Sequence, residues 1–180
     1  MNLQHLTIRF PFDGEPKLNL ARAIELFHGW VSAQSLEGMS IDVVDYRHVP
    51  NGPGVVLIGL EGDYYLNETG LRYSRKAAVE GTSLDALKQA FSVGATVCSR
   101  LEAEFDGVKF SRKNFEIAVN DRAIAPNTLE TFEQIKGDIE SFFTGELGAG
   151  SARVSYCEGD PRKLLTMKIE VDTPLELAAT

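Results

Sequence analysis

Three separated stretches of this chain alternate apolar with other residues. Leu6, Ile8 and Phe10 enclose Thr7 and Arg9; Phe115, Ile117 and Val119 enclose Glu116 and Ala118; Leu165, Met167, Ile169 and Val171 enclose Thr166, Lys168 and Glu170. A period of two with one apolar set describes a strand that buries a single face. Such strands belong to antiparallel or mixed sheets with helices on one side, because parallel sheets are covered on both faces and read as continuous apolar runs. This pattern narrows the fold more than any other feature.

The helices are read from steps of three and four. Leu20, Ile24, Phe27 and Val31 predict an amphipathic helix over about 16–35, with Pro16 suited to its first turn. Leu84, Leu87, Phe91, Gly94, Cys98, Leu101 and Phe105 predict a second, capped by Ser83 and ended by Asp106-Gly107. Glycine inside a helix costs about 1 kcal/mol relative to alanine, so Gly94 points to close approach of a strand. Leu129, Phe132, Ile135, Ile139 and Phe142 predict the third, with Asn127 and Glu130 at capping-box spacing.

The remaining segments are strands and turns. Ile41 to Arg47 is one strand, and Val55 to Leu66 reads as a single long one. On that reading Val55, Leu57, Glu61, Asp63 and Tyr65 share a face. Asn67-Glu68-Thr69-Gly70 then turns the chain into a partner strand from Leu71 to Ala77, and Val154 and Tyr156 form a short strand. The expected fold is an α+β two-layer sandwich: a mostly antiparallel or mixed sheet of seven to eight strands with three helices on one face. Residues 1–172 form one domain and 173–180 a flexible tail. The segments 4–66 and 114–172 share the order β-α-β-β without matching residues.

Charge and composition bound the function. The net charge is −8, and both halves are acidic, with 8 Lys/Arg against 11 Asp/Glu in residues 1–90 and 10 against 15 in residues 91–180. Neither half is a basic domain that could neutralise phosphates, which argues against nucleic acid or an anionic membrane as the main partner and leaves room for a local basic patch. The N-terminal residues lack a basic segment followed by an apolar run, and no stretch has the ~18 apolar residues of a membrane span. Cys98 and Cys157 have no metal-ligand spacing and read as free thiols of a reducing compartment. The expected location is cytoplasmic.

Polar chemistry concentrates between Asp42 and Lys76. Tyr46, His48, Asn51 and the amides of Gly52 and Gly54 fall within nine residues at a strand end. Glycine amides can approach an anion, although Pro53-Gly54 also suits the centre of a type II turn. Asp45 and His48 could form an acid–base pair. Arg122 and Asn127 sit in a second polar loop, before a helix N-terminus with its exposed donors. Together these residues predict a polar rim for a small anionic or polar ligand, on a non-catalytic binding or assembly protein. The alternative is a small enzyme with a site around His48, the Asn51–Gly54 turn, Glu61 and Arg122. Glu61 and Asp63 could be an acid pair; more plainly, if Leu66 faces Leu71, Glu61 faces Lys76 as a cross-strand ion pair. No metal set or nucleophile motif is present, and no cofactor is implied. The sheet face away from the helices carries Thr7, Arg9, Glu61, Asp63, Tyr65, Arg72 and Lys76. Val55 and Leu57 would lie at its end and need cover, which predicts a homodimer.

The runs Tyr46-Arg47-His48-Val49-Pro50-Asn51-Gly52-Pro53-Gly54-Val55, Glu61-Gly62-Asp63-Tyr64 and Ala125-Pro126-Asn127-Thr128-Leu129-Glu130-Thr131-Phe132 resemble a family of uncharacterised bacterial proteins. In that family Y-R-H-V-P-x-G-P-G-V, H-E-x-D-Y and A-P-N-T-x-x-T-F runs recur in this order, and the likeness spans about residues 20–170. Leu60 stands where the family pattern has a histidine, so the resemblance lends Glu61 no metal or acid–base role. It implies a bacterial cytoplasmic protein and brings no activity.

Overall fold

The computed structural model describes residues 2–177. Eight strands form one sheet: β1 (Leu6–Pro11), β2 (Ser40–Tyr46), β3 (Gly54–Gly59), β4 (Gly62–Asn67), β5 (Gly70–Arg75), β6 (Asn114–Val119), β7 (Ala152–Tyr156) and β8 (Leu165–Val171). Their order is β2-β3-β4-β5-β1-β6-β8-β7, and every pairing is antiparallel. Helices α1 (Leu20–Ala33), α2 (Ser83–Glu104) and α3 (Leu129–Ser141) supply the second layer, α3 running into a π-helical turn at Phe142–Glu146. This is the α+β sandwich that the alternation predicts.

The two halves share a plan. From β1 the chain crosses through α1 to the edge strand β2, then returns by a meander to lie beside β1. From β6 it crosses through α3 to the other edge strand, β7, and returns as β8 beside β6. The halves meet where β1 pairs with β6. The first meander has two strands more than the second.

Phe91 of α2 holds the layers together. Its ring lies 5.3 Å from Phe10 of β1 and 5.4 Å from Phe115 of β6, centroid to centroid, and 5.9 Å from both Phe142 and Phe143. Gly94, one turn on, lets the helix settle: a Cβ there would stand 2.3 Å from Phe10 Cε2. Close approach to a strand is what its place in the stripe implied. Leu87, Cys98 and Leu101 are buried with it, whereas Leu84 is at the surface.

Several details differ from the sequence reading. Helix α1 starts at Leu20, with the Asn19 side chain accepting from the amides of Ala21 and Arg22, so Pro16 lies outside it. The cap of α2 is Thr82, not Ser83, and it forms a reciprocal box with Asp85. Thr128 rather than Asn127 caps α3. The expected long strand 55–66 is a hairpin, with only Leu60 and Glu61 between β3 and β4. Its flanking glycines permit this: a Cβ on Gly59 would meet Gly62 O at 2.6 Å, and one on Gly62 would meet the Tyr73 ring. The fold-back reverses the parity of side chains, so Val55 opposes Leu66 and Leu57 opposes Tyr64, all four buried in the core. The chain itself covers Val55 and Leu57, and the reason for expecting a homodimer falls away. Residues 173–177, expected as a loose tail, dock: Leu175 and Leu177 are buried, and the Leu175 amide donates to Arg112 O at 2.9 Å. Positions 178–180 lie outside the described residues. No helix among the described residues is long and apolar enough to cross a membrane.

Replacing Phe91 by alanine removes the ring on which Phe10, Phe115, Phe142 and Phe143 converge. It should destabilise the protein by about 3–5 kcal/mol in denaturant melts. Gly94→Ala should also destabilise, by about 1–3 kcal/mol, because overpacking against Phe10 outweighs the gain in helix propensity. A more stable Gly94→Ala variant would contradict this packing.

Candidate functional site

All three helices pack on one side of the sheet, so the other side is open. Its centre is a trough of about 700 Å3. Val56, Tyr65, Arg72, Arg9, Glu116 and Lys168 are successive cross-strand partners on β3, β4, β5, β1, β6 and β8, and the middle four of this transverse row, Tyr65 to Glu116, form the floor. Arg9 and Arg72 are therefore direct neighbours, an arrangement that repels unless a negative charge intervenes. Glu116 answers Arg9, Oε2 lying 3.0 Å from Nη1. Among the described residues Arg72 has no carboxylate partner; its guanidinium lies 4.1 Å above the Tyr65 ring.

The trough runs from the Asn51–Pro53 segment and Asn67, past the arginines, to Thr7, Ala118, Leu164 and Thr166. Thr7 is held in place: its hydroxyl donates to Asn120 Oδ1 and lies equally close to the Ser74 hydroxyl, each at 2.9 Å. The Tyr65 hydroxyl faces Asp63 at 3.5 Å, and burial together with that carboxylate raises its pKa. Tyr65 thus stays protonated at neutral pH and can donate. Among the described residues Glu116 is the only carboxylate in the lining, and Arg9 already holds it. The donors here suit binding of an anion better than proton transfer.

The predicted rim does not assemble. Tyr46 opposes Gly54, and Asn67 opposes Gly70, which opposes Pro11, so the 47–53 loop lies at the end of the sheet where β1 finishes. Leu6 opposes Val119, so the loop after β6 lies at the other end, with Arg122 and Asn127. Asn51 and Gly52 reach the trough, whereas Arg122 lines a different hollow with His5 and Lys76. Arg122 donates to the Arg162 carbonyl, and buried Asn127 donates to Asp160 O at 3.1 Å, so both tie two loops together. Gly54 is not at the centre of a turn but begins β3. Its φ of 75° and the close approach of Leu66 O, 2.2 Å from where a Cβ would stand, exclude any side chain. Tyr46 and His48 are exposed, their ring centroids 6.4 Å apart.

The two acid–base suggestions also dissolve. Asp45 pairs with Arg47 at 2.7 Å, not with His48. Asp63, rather than Glu61, takes Lys76, at 2.7 Å, while Glu61 accepts from the Met39 amide at 3.0 Å. The backbone register foreseen for β4 and β5 is nevertheless the observed one, Leu66 on Leu71 and Tyr65 on Arg72. Burial pushes both cysteine thiols up, Cys98 far up, which leaves neither as a ready thiolate. Among the described residues no group of three His, Cys, Asp or Glu could hold a metal ion.

The sequence reading placed Arg9, Thr7, Tyr65 and Arg72 on the polar face. It missed Glu116, Thr166 and Asn67. Glu116 is visible as an outward position between Phe115 and Ile117, but only the pairing of β1 with β6 brings it to Arg9. No protein-family model matches the chain, and no curated protein matches it.

The Asp45 carboxyl, exposed but hydrogen-bonded by the Arg47 side chain and amide, is held down to about 2. Whatever this pair contributes to stability is therefore complete above the usual carboxylate value of about 3.9 and lost as pH falls towards 2. A carboxyl NMR titration should place the Asp45 midpoint near 2 and, in Arg47→Ala, return it towards the ordinary range. A midpoint unmoved by the substitution would show that Arg47 is not the cause.

Proposed function

We propose that this is a non-catalytic binding protein whose open sheet face receives a small anionic molecule between Arg9 and Arg72. The observation that carries the reading is the cross-strand pairing of these two arginines in the floor of the trough, where Glu116 answers Arg9 and, among the described residues, no carboxylate answers Arg72. Arginine presents a planar fork of donors that matches carboxylate and phosphate oxygens. On a chain of net charge −8, a cationic floor inside a concavity draws a small anion by local rather than overall charge. Tyr65, Thr166 and Asn67 offer neutral polar groups around that position. The ligand class is a small di- or tricarboxylate or a phosphate ester, of a size to lie along the trough.

Calorimetric titration with succinate, citrate and inorganic phosphate tests this. Arg72→Ala should weaken binding by about tenfold or more, the loss of a hydrogen bond to a charged group. Its stability should change by under about 1 kcal/mol, since it gives up only an exposed contact with Tyr65. His48→Ala and Arg122→Ala should bind as the parent protein does. Undiminished affinity in Arg72→Ala, or no saturable binding of any of the three anions, would remove the proposal.

A further inference from the structure

On the helix-covered side, where α2 packs on β5, lies a second and smaller cavity of about 230 Å3. Arg75, at the end of β5, lines it and is only 6% exposed. Its Nε and Nη1 are buried without a hydrogen-bond partner, its Nη2 makes a long contact, 3.4 Å, to Ala78 O, and the guanidinium also faces the Tyr73 hydroxyl. A buried guanidinium without a carboxylate is costly, and native proteins rarely leave one so. Gln89 of α2 adds a second unanswered group: its Nε2 donates to Glu37 Oε1 at 3.1 Å, but its buried Oε1 accepts nothing. The Tyr64 and Tyr73 rings meet at 4.9 Å, tilted by 40°, along one wall, and both hydroxyls are held protonated, chiefly by burial. Glu37 and Glu61 complete the lining.

We infer that this cavity is a binding site for a small zwitterion of the α-amino acid class. Its carboxylate meets the free edge of Arg75, and its ammonium group turns towards Glu37, Glu61 and Gln89 Oε1. The charges choose between ligand classes. A phosphate would satisfy Arg75 but face two carboxylates. A neutral polyol would leave the guanidinium unpaired. One molecule with an anion at one end and a cation at the other answers every open group. A water fills about 30 Å3, so the cavity has room for a molecule of glycine to serine size. The inference is independent of the open-face trough, which lies on the other side of the sheet.

Thermal melts and calorimetry with glycine and L-alanine test it, with acetate and methylamine as the two halves of the ligand. Either amino acid should raise the melting temperature saturably, and acetate or methylamine alone should not. Arg75→Met should abolish the shift and melt at the same temperature as the parent or higher, because an unpaired buried charge has gone. Gln89→Leu, which keeps Arg75, should fold and lose about tenfold in affinity with its acceptor. The inference is overturned if neither amino acid gives a saturable shift, if acetate alone gives the same shift, or if Gln89→Leu binds undiminished. It is overturned equally if Arg75→Met melts far below the parent or fails to fold, since Arg75 would then be part of the scaffold.

Discussion

The contact of Phe91 with Phe10 and Phe115 sets the layout of the molecule. It pins the longest helix across β1 and β6, the central pair where the two halves of the chain meet. Once the helices occupy that side, the outward positions of the same strands have nothing to pack against. They are filled with Thr7, Arg9, Tyr65, Arg72 and Glu116, residues that tolerate water and can recognise a ligand. The core on one face and the polar trough on the other are two consequences of one alternation.

The antiparallel pairing has a second consequence. Residues distant in sequence become neighbours in transverse rows, so Tyr65, Arg72, Arg9 and Glu116 make a continuous polar line although Arg9 and Glu116 lie 107 positions apart. On an exposed surface each of these charges would contribute little to stability. Gathered in a concavity, they make a local cationic field that the acidic chain as a whole does not have. The same helix that closes the core also encloses Arg75 and Gln89, whose unanswered polar atoms are otherwise hard to reconcile with a well-packed interior.

Periodicity made the sheet class, the three helices and the packing role of Gly94 legible in the sequence, because each rests on a repeating local pattern. Boundaries were less legible where residues of similar capping strength adjoin: Thr82 beside Ser83, and Thr128 beside Asn127. The hairpin at Leu60-Glu61 escaped notice since neither residue is a turn former, and the bracket of Gly59 and Gly62 was the only signal. That single omission moved Val55 and Leu57 to the wrong face and created an apparent need for a second subunit. The site was half legible. Alternation assigned Arg9 and Arg72 to one face, but strand order decides that they touch, and strand order depends on pairings between distant segments. Proximity in sequence misled the rim reading for the same reason, because β2 and β6 run in opposite directions and carry the two polar loops to opposite ends.

The most direct measurement is a map of backbone amide shifts in uniformly labelled protein during titration with citrate. The account predicts that the saturating shifts concentrate on Tyr65, Arg72, Arg9, Glu116 and Thr166, crossing five strands in one band, with the loop around Arg122 unmoved. Shifts confined to the 47–50 loop or to residues 120–128, with the central row silent, would contradict it.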